Sequence, residues 1–420
     1  MGNENASCAH DDNEYAQLSL LHLPVEIFLH ICSFLDASTL HSLSLVCNKF
    51  YKVLNDAEWK VRINHILWPN ATDSLFCPAR PNKLFWKLSC AAIEKQTALW
   101  KQPDSMEKLM LMNSHVKAVL LMHVDGITYL VCQKDRILLY KKLSYREEPF
   151  YEVRDYLDNV PSDCLMAIDH TVYVCSYNNI IKSWVLTNTG LVHDRTYEIE
   201  QSNRIRDSLM CVSSCPEQAL FATGSNHGTI NVFDSRSSNK PIRQYRPSYS
   251  RYVDKLTMNT KYIMSASEDE TVTVSVWDQR ADRIVKSITI PGERGEYPTC
   301  MSMRRDWVCV GNCKKLHMLD LTNDFELVKS YSTEHTETLT GVSLTHGCLI
   351  TSSWDDTVRI SSPTDPPKHI ATLCPKIGAI DSMDYLNDTL AIAGDSLVVW
   401  RPRNQRVNEP SINKKFLYVF

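Results

Sequence analysis

The sequence predicts a small all-α module and a helical connector, followed by an all-β propeller of seven blades. Three observations carry that expectation. Residues 21–59 place apolar side chains at helical spacing in a unit too small to bury them all. Residues 84–100 form a further helical pattern carrying Phe85, Trp86 and Trp100. From Ser114 onward a pattern of short strands returns seven times at intervals of 40–49 residues, the period of a propeller blade. Residues 1–17 are expected to be a disordered tail, 18–60 the helical module and 61–105 the connector. The propeller is expected over 106–405 and a C-terminal tail over 406–420.

Composition narrows the function classes. With 420 residues, 44% hydrophobic and 22% charged, the chain has the make-up of an ordinary globular protein. A formal net charge of −4 argues against a broad nucleic-acid or anionic-membrane footprint. No segment offers the ~18 consecutive apolar residues of a membrane span, and the polar, acidic start argues against a secretory signal. Gly2 stands at a myristoylation position, but Ala6 occupies the place that needs Ser or Thr, and Ser7 comes one residue late. The fifteen cysteines are odd in number and scattered, and Cys132, Cys175 and Cys309 sit inside apolar strand patterns. Reduced thiols of a cytoplasmic or nuclear protein explain this better than a disulfide framework. Cys211/Cys215 and Cys309/Cys313 lack a matching second pair, so neither a metal nor another cofactor is expected. Asn70-Ala71-Thr72 and Asn387-Asp388-Thr389 match the glycosylation sequon, as chance matches in a chain without secretion.

In the helical module, Pro24 follows Leu23 at a first turn, where its missing N–H costs nothing. Ile27, Ile31 and Leu35 then recur every four residues on one face. Asp36, Ser38 and Thr39 supply a break and N-caps for a second helix, whose stripe runs through Leu40, Leu43, Val46, Cys47, Phe50 and Leu54. Leu23, Pro24, Ile27, Phe28, Ile31, Phe34 and Leu35 crowd the first helix with more apolar surface than two helices cover. The surplus must pack on the rest of the chain or on another protein.

The run Leu23-Pro24-x-Glu26-Ile27-x-x-x-Ile31-x-x-Phe34-Leu35-Asp36, then Leu40-x-x-Leu43-x-Leu45-Val46-Cys47-x-x-Phe50, then Trp59, resembles an F-box. The resemblance implies docking on the Skp-type adaptor of a cullin–RING ubiquitin ligase. The positions matching the family's contacts are Leu23, Pro24, Ile27, Ile31, Leu35, Leu40, Leu43, Val46 and Cys47. An internal helical hairpin of the β body would explain the stripes alone, but it needs no Leu-Pro opening.

In the connector, Trp68-Pro69, Pro78 and Pro81 break the chain early, and residues 84–100 then read as a helix. Phe85, Leu88, Ala92 and Leu99 share one face, with Trp86, Ile93 and Trp100 on an adjoining one. So many aromatics disfavour a surface helix and predict one wedged between the two domains.

In the repeat body, one apolar strand carries, in turn, Tyr140, Trp184, Phe233, Trp277, Met318, Ile360 and Trp400, with gaps of 44, 49, 44, 41, 42 and 40 residues. Before each lies a strand with small residues, such as Ala266-Ser267, Ser352-Ser353 and Ala393-Gly394, which lets neighbouring sheets approach. Met106–Met112 is the candidate for a strand that closes the ring, and residues 415–420 are the runner-up. Phe233-Asp234 and Trp277-Asp278 resemble the WD-repeat pattern, and His115 and His335 stand where its histidine precedes the first strand.

Module, tryptophan-bearing connector and propeller in this order resemble the F-box/WD-repeat substrate receptors. That family holds a protein substrate on the propeller and performs no chemistry itself. The chain carries no nucleotide loop, HExxH or G-x-S-x-G element, so it is not expected to be an enzyme. The substrate is expected on the face where the inner strands begin, because loops converge there on the central channel. Those loops carry Arg204, Arg206, Arg251, Tyr252, Arg294 and Tyr297 in the third to fifth blades, with Glu334 and Glu337 before the sixth. Arginine suits bidentate capture of carboxylate or phosphate, so an acidic or phosphorylated segment is the expected cargo. Solvated loop charges explain the same residues equally well. Two rival readings remain: a ligase-independent scaffold, or docking on the damage-binding cullin adaptor through Phe233-Asp234-Ser235-Arg236 and Trp277-Asp278-Gln279-Arg280, which resemble a WD-x-R element.

Overall fold

The structure, a computed structural model, describes residues 20–67, 85–102, 105–143, 149–153, 164–199, 208–246, 252–268, 271–292, 297–304 and 306–403. The N-terminal tail, the turn at Pro78 and Pro81, the arginines 204, 206, 251 and 294, and residues 415–420 lie outside them.

The N-terminal module consists of α1 (Val25–Ser33), α2 (Ala37–Ser44), α3 (Asn48–Val53) and α4 (Asp56–Leu67). Pro24 stands at the N-cap of α1. The Asp36 carboxylate caps α2 by accepting the Thr39 N–H at 2.7 Å. The stripe from Leu40 to Leu54, expected as one helix, is divided between α2 and α3. The chain turns through Leu45 and Val46, and Cys47 is extended (φ −156°, ψ 163°), its Sγ accepting the Phe50 N–H at 3.5 Å. That break leaves Leu40 and Phe50 in a common core while carrying Leu45 and Val46 to the surface. Phe28 and Phe50 stack at 4.5 Å in this core, beside Cys32, Leu54, Trp59 and Ile63.

Helix α5 (Phe85–Lys101) joins two cores. Cys90 and Ile93 complete that of the helical module, with Trp86 packed against it. Trp100, at the other end, is buried among Cys348, Ile350 and Trp400 of the β body. The helix is a wedge, as its aromatic content predicts.

The β body is seven four-stranded antiparallel sheets. Their first strands are Ala118–Val124, Leu165–Ile168, Leu209–Cys215, Lys255–Met258, Pro298–Arg304, Leu339–Leu344 and Ile380–Leu386. Each neighbours the next around a closed ring, the last against the first, so these strands line the axis. Tyr140, Trp184, Phe233, Trp277, Met318, Ile360 and Trp400 all lie in third strands. In the seventh blade the outer strand is β1 (Met106–Met112), antiparallel to Leu397–Pro402 with Leu109 opposite Val399. A strand from before the first blade thus ties the ring shut and covers an edge that would otherwise stay unpaired.

Six sheets are simple meanders, and the seventh is one apart from its borrowed outer strand, so the molecule has two distinct faces. Loops leading into first strands, and turns between second and third strands, share the upper face. Turns between first and second strands share the lower one.

Candidate functional site

On the helical module an apolar face stays uncovered. Phe34 is 77% exposed, and Leu45 and Val46 are each 68% exposed. Val25, Ile27 and Ile31 on α1 are exposed as well. Among the expected contact residues, Pro24, Ile27, Ile31 and Val46 are exposed, and Leu23, Leu35, Leu43 and Cys47 are half-buried against the module's own core. Leu40 differs: it is 3% exposed, because α2 turns Ala37, Leu40 and Ser44 inward together. Leu40 supports the face from beneath. The contact positions taken from the resemblance omit Phe34 and Leu45, although both stand in the matching run; both are C-cap residues, where the helical repeat ends and a face assignment loses meaning. Their conspicuous apolar size at a break was the available signal.

A charged lock holds this face in shape. The Arg62 guanidinium pairs with Glu94 of α5 at 2.7 Å. It also donates to the Cys32 carbonyl at 3.3 Å and to the Leu35 carbonyl. The second Glu94 oxygen accepts the Ala37 N–H at 2.6 Å, at the N-terminus of α2. One carboxylate on the connector therefore fixes α1, α2 and α4 relative to α5.

The other side of α5 is seated on the lower face of blades six and seven. Ser89 Oγ lies 3.2 Å from His346 Nε2, and the Phe85 ring meets His346 edge-on at 5.7 Å. Gln96 Nε2 donates to Asp388 at 2.6 Å, while its carbonyl accepts from Trp100 Nε1 and from the Tyr385 hydroxyl, both at 2.9 Å. Lys95 adds an ion pair to Asp388. Gly347 lies so close that a Cβ there would stand 2.5 Å from the Ala92 carbonyl oxygen. Because the seam uses first-to-second-strand turns, the upper face points away from the helical module.

On that upper face Tyr252 and Tyr297 are exposed as expected, while the four arginines grouped with them lie outside the described residues. Glu334 is drawn into an ion pair with Arg359 at 2.5 Å, and Glu337 is exposed. Next to them, His335 is buried with Nε2 2.9 Å from Thr351 Oγ1 and Nδ1 3.0 Å from Asp355. Burial holds its imidazole below the usual range, with the Asp355 carboxylate opposing. This buried histidine fastens its blade. The arginines of the two WD-x-R segments also serve local turns. Asp234 accepts the Arg236 N–H at 2.9 Å, and Arg236 Nη2 donates to the Gln218 carbonyl at 3.1 Å. Asp278 accepts the Arg280 N–H at 2.8 Å.

Comparison with known proteins agrees with this geometry at both ends. The F-box-like family matches residues 20–63, and the family described as WD domain, G-beta repeat matches residues 200–234. Human F-box/WD repeat-containing protein 9 is 28% identical over 407 residues, covering 91% of this chain and 82% of the human protein. The bovine protein of the same name is 27% identical over 371 residues, or 84% of this chain and 76% of that protein. Ribosome biogenesis protein YTM1 of Scheffersomyces stipitis is 30% identical over 133 residues, which is 29% of this chain and 25% of that protein. No helix among the described residues is long and apolar enough to cross a membrane.

Proposed function

We propose that this F-box plus WD-repeat protein is the substrate-recognition subunit of a Skp–cullin–F-box ubiquitin ligase. The F-box docks on the Skp-type adaptor, and the propeller holds a protein substrate on its upper face. The observation that carries this reading is the exposed apolar face formed by Ile27, Ile31, Phe34, Leu45 and Val46, on a module whose own core is already filled. Exposed large apolar side chains gathered on a packed unit mark an interaction site. The chain makes and breaks no bond. It raises the local concentration of substrate lysines near a ubiquitin-charged enzyme, and the rigid α5 seam keeps the distance between its two ends fixed. It works in the cytoplasm or nucleus, which the scattered thiols favour.

The damage-binding adaptor and the ligase-independent scaffold are separated from this reading by one experiment. Tagged full-length chain is captured from cells and its partners are identified. The Skp-type adaptor with a cullin is the expected result. The damage-binding adaptor in its place, or neither adaptor, overturns the proposal.

A further inference from the structure

A cluster on the upper face, between the sixth blade and the first, has a chemistry of its own. Trp354 lies in the turn after Leu349–Ser353 and is 46% exposed, with its indole N–H directed to the Asp381 carboxylate. Asp381 is the extra residue of a bulge between Ile380 and Ser382, where the first strand of blade seven begins. It is therefore released from the sheet pairing at the rim of the channel. Asp395 stands in the next turn of the same blade. His115 lies 3.8 Å from both carboxylates, too far for a strong hydrogen bond to either. The nearby Lys117 has its ammonium 5.8 Å from the centre of the Tyr177 ring. Burial raises the Asp381 carboxyl above its usual range and Asp395 adds to the effect, while His115 and Lys117 oppose it. Two carboxylates thus meet at this rim beside an exposed indole.

We propose that Trp354, Asp381 and Asp395 form the seat for a basic side chain, arginine or lysine, of an extended segment in the protein substrate. A cation over an indole face gains roughly 0.5–2 kcal/mol depending on its desolvation. Two carboxylates beside that ring suit the planar fork of a guanidinium. An acidic or phosphorylated segment at this part of the rim meets like charges. The proposal rests on the upper face being the substrate platform and names what that platform reads.

The test is selection of a displayed library of random short peptides on the full-length chain. Parallel selections use full-length Asp381→Asn/Asp395→Asn and Trp354→Ala chains, with adaptor capture measured on the same preparations. Arginine or lysine enrichment on the unaltered chain, falling about tenfold or more on each variant, is the expected result. The single Asp395→Asn variant, at an exposed turn, replaces the double one if the latter loses its fold. Enrichment of acidic residues, absence of basic enrichment, or equal basic enrichment on every variant overturns the proposal. Adaptor capture does not depend on the peptide result, so failure of the ligase reading registers separately.

Discussion

Gly347 lies at a close approach of connector and propeller, and its missing side chain is what allows that approach. An added methyl group would stand 2.5 Å from a backbone carbonyl that has no freedom to rotate away. Gly347→Ala should cost about 1–3 kcal/mol and raise amide hydrogen exchange in α5 while leaving the distant blades unchanged. His335 gives the fold a pH dependence of definite sign. Its folded pKa is held below the usual 6.5, so the unfolded chain takes the proton first as pH falls. The contribution of His335 to stability is therefore full above about 6.5 and is lost as pH drops below it. The melting temperature of the native chain should fall more steeply from neutral to mildly acid pH than that of His335→Gln. Equal slopes contradict this account. Residue-level reading of the sequence succeeded where periodicity was intact, as at Ile27 and Ile31, and failed where it ended. Leu40, a contact position by resemblance, lies in the core, whereas Phe34, Leu45 and Val46, at or just past the helix ends, are the most exposed of these residues.

Among the elements, α5 does most to make two bodies one molecule. Its length and its wedge position were legible because Phe85, Trp86, Ile93 and Trp100 have no business on a solvated helix. Its polar contacts were not legible. Glu94 meets Arg62 and the α2 N-terminus across long sequence separations, and Gln96 meets Asp388 across the whole propeller, so no local pattern announces either. Glu94→Ala should leave the largely buried Arg62 guanidinium without its carboxylate and α2 without its connector contact, at a cost of about 2 kcal/mol in chemical unfolding. Glu94→Gln keeps an acceptor for the Ala37 N–H and should cost less. If the alanine variant unfolds like the native chain, α5 does not brace the helical module. The division of one expected helix into α2 and α3 has a similar origin. Apolar spacing continues through Leu45–Cys47, and only the extended Cys47 with its thiol cap breaks it.

At the scale of the whole molecule, repetition made the fold readable. The blades keep the WD pattern unevenly, with residues 200–234 matching the family, yet seven recurrences of a small-residue strand followed by an apolar one admit few other architectures. Closure by β1 follows from the need to cover the last sheet's edge. The orientation of the two ends emerges only in three dimensions. Among the described residues the connector meets the lower face and none of the upper one, an orientation that suits the proposed receptor. The central claim is that the exposed apolar face of the helical module exists for a partner and contributes little to the fold. It is tested most directly by titrating purified Skp-type adaptor into the full-length chain and into its Ile27→Asp/Val46→Asp variant, with thermal unfolding of both. The native chain should bind, the variant should lose about a hundredfold or more in affinity, and both should melt at the same temperature. Retained binding by the variant, or a melting temperature lowered as far as by Phe28→Ala in the core, would contradict it.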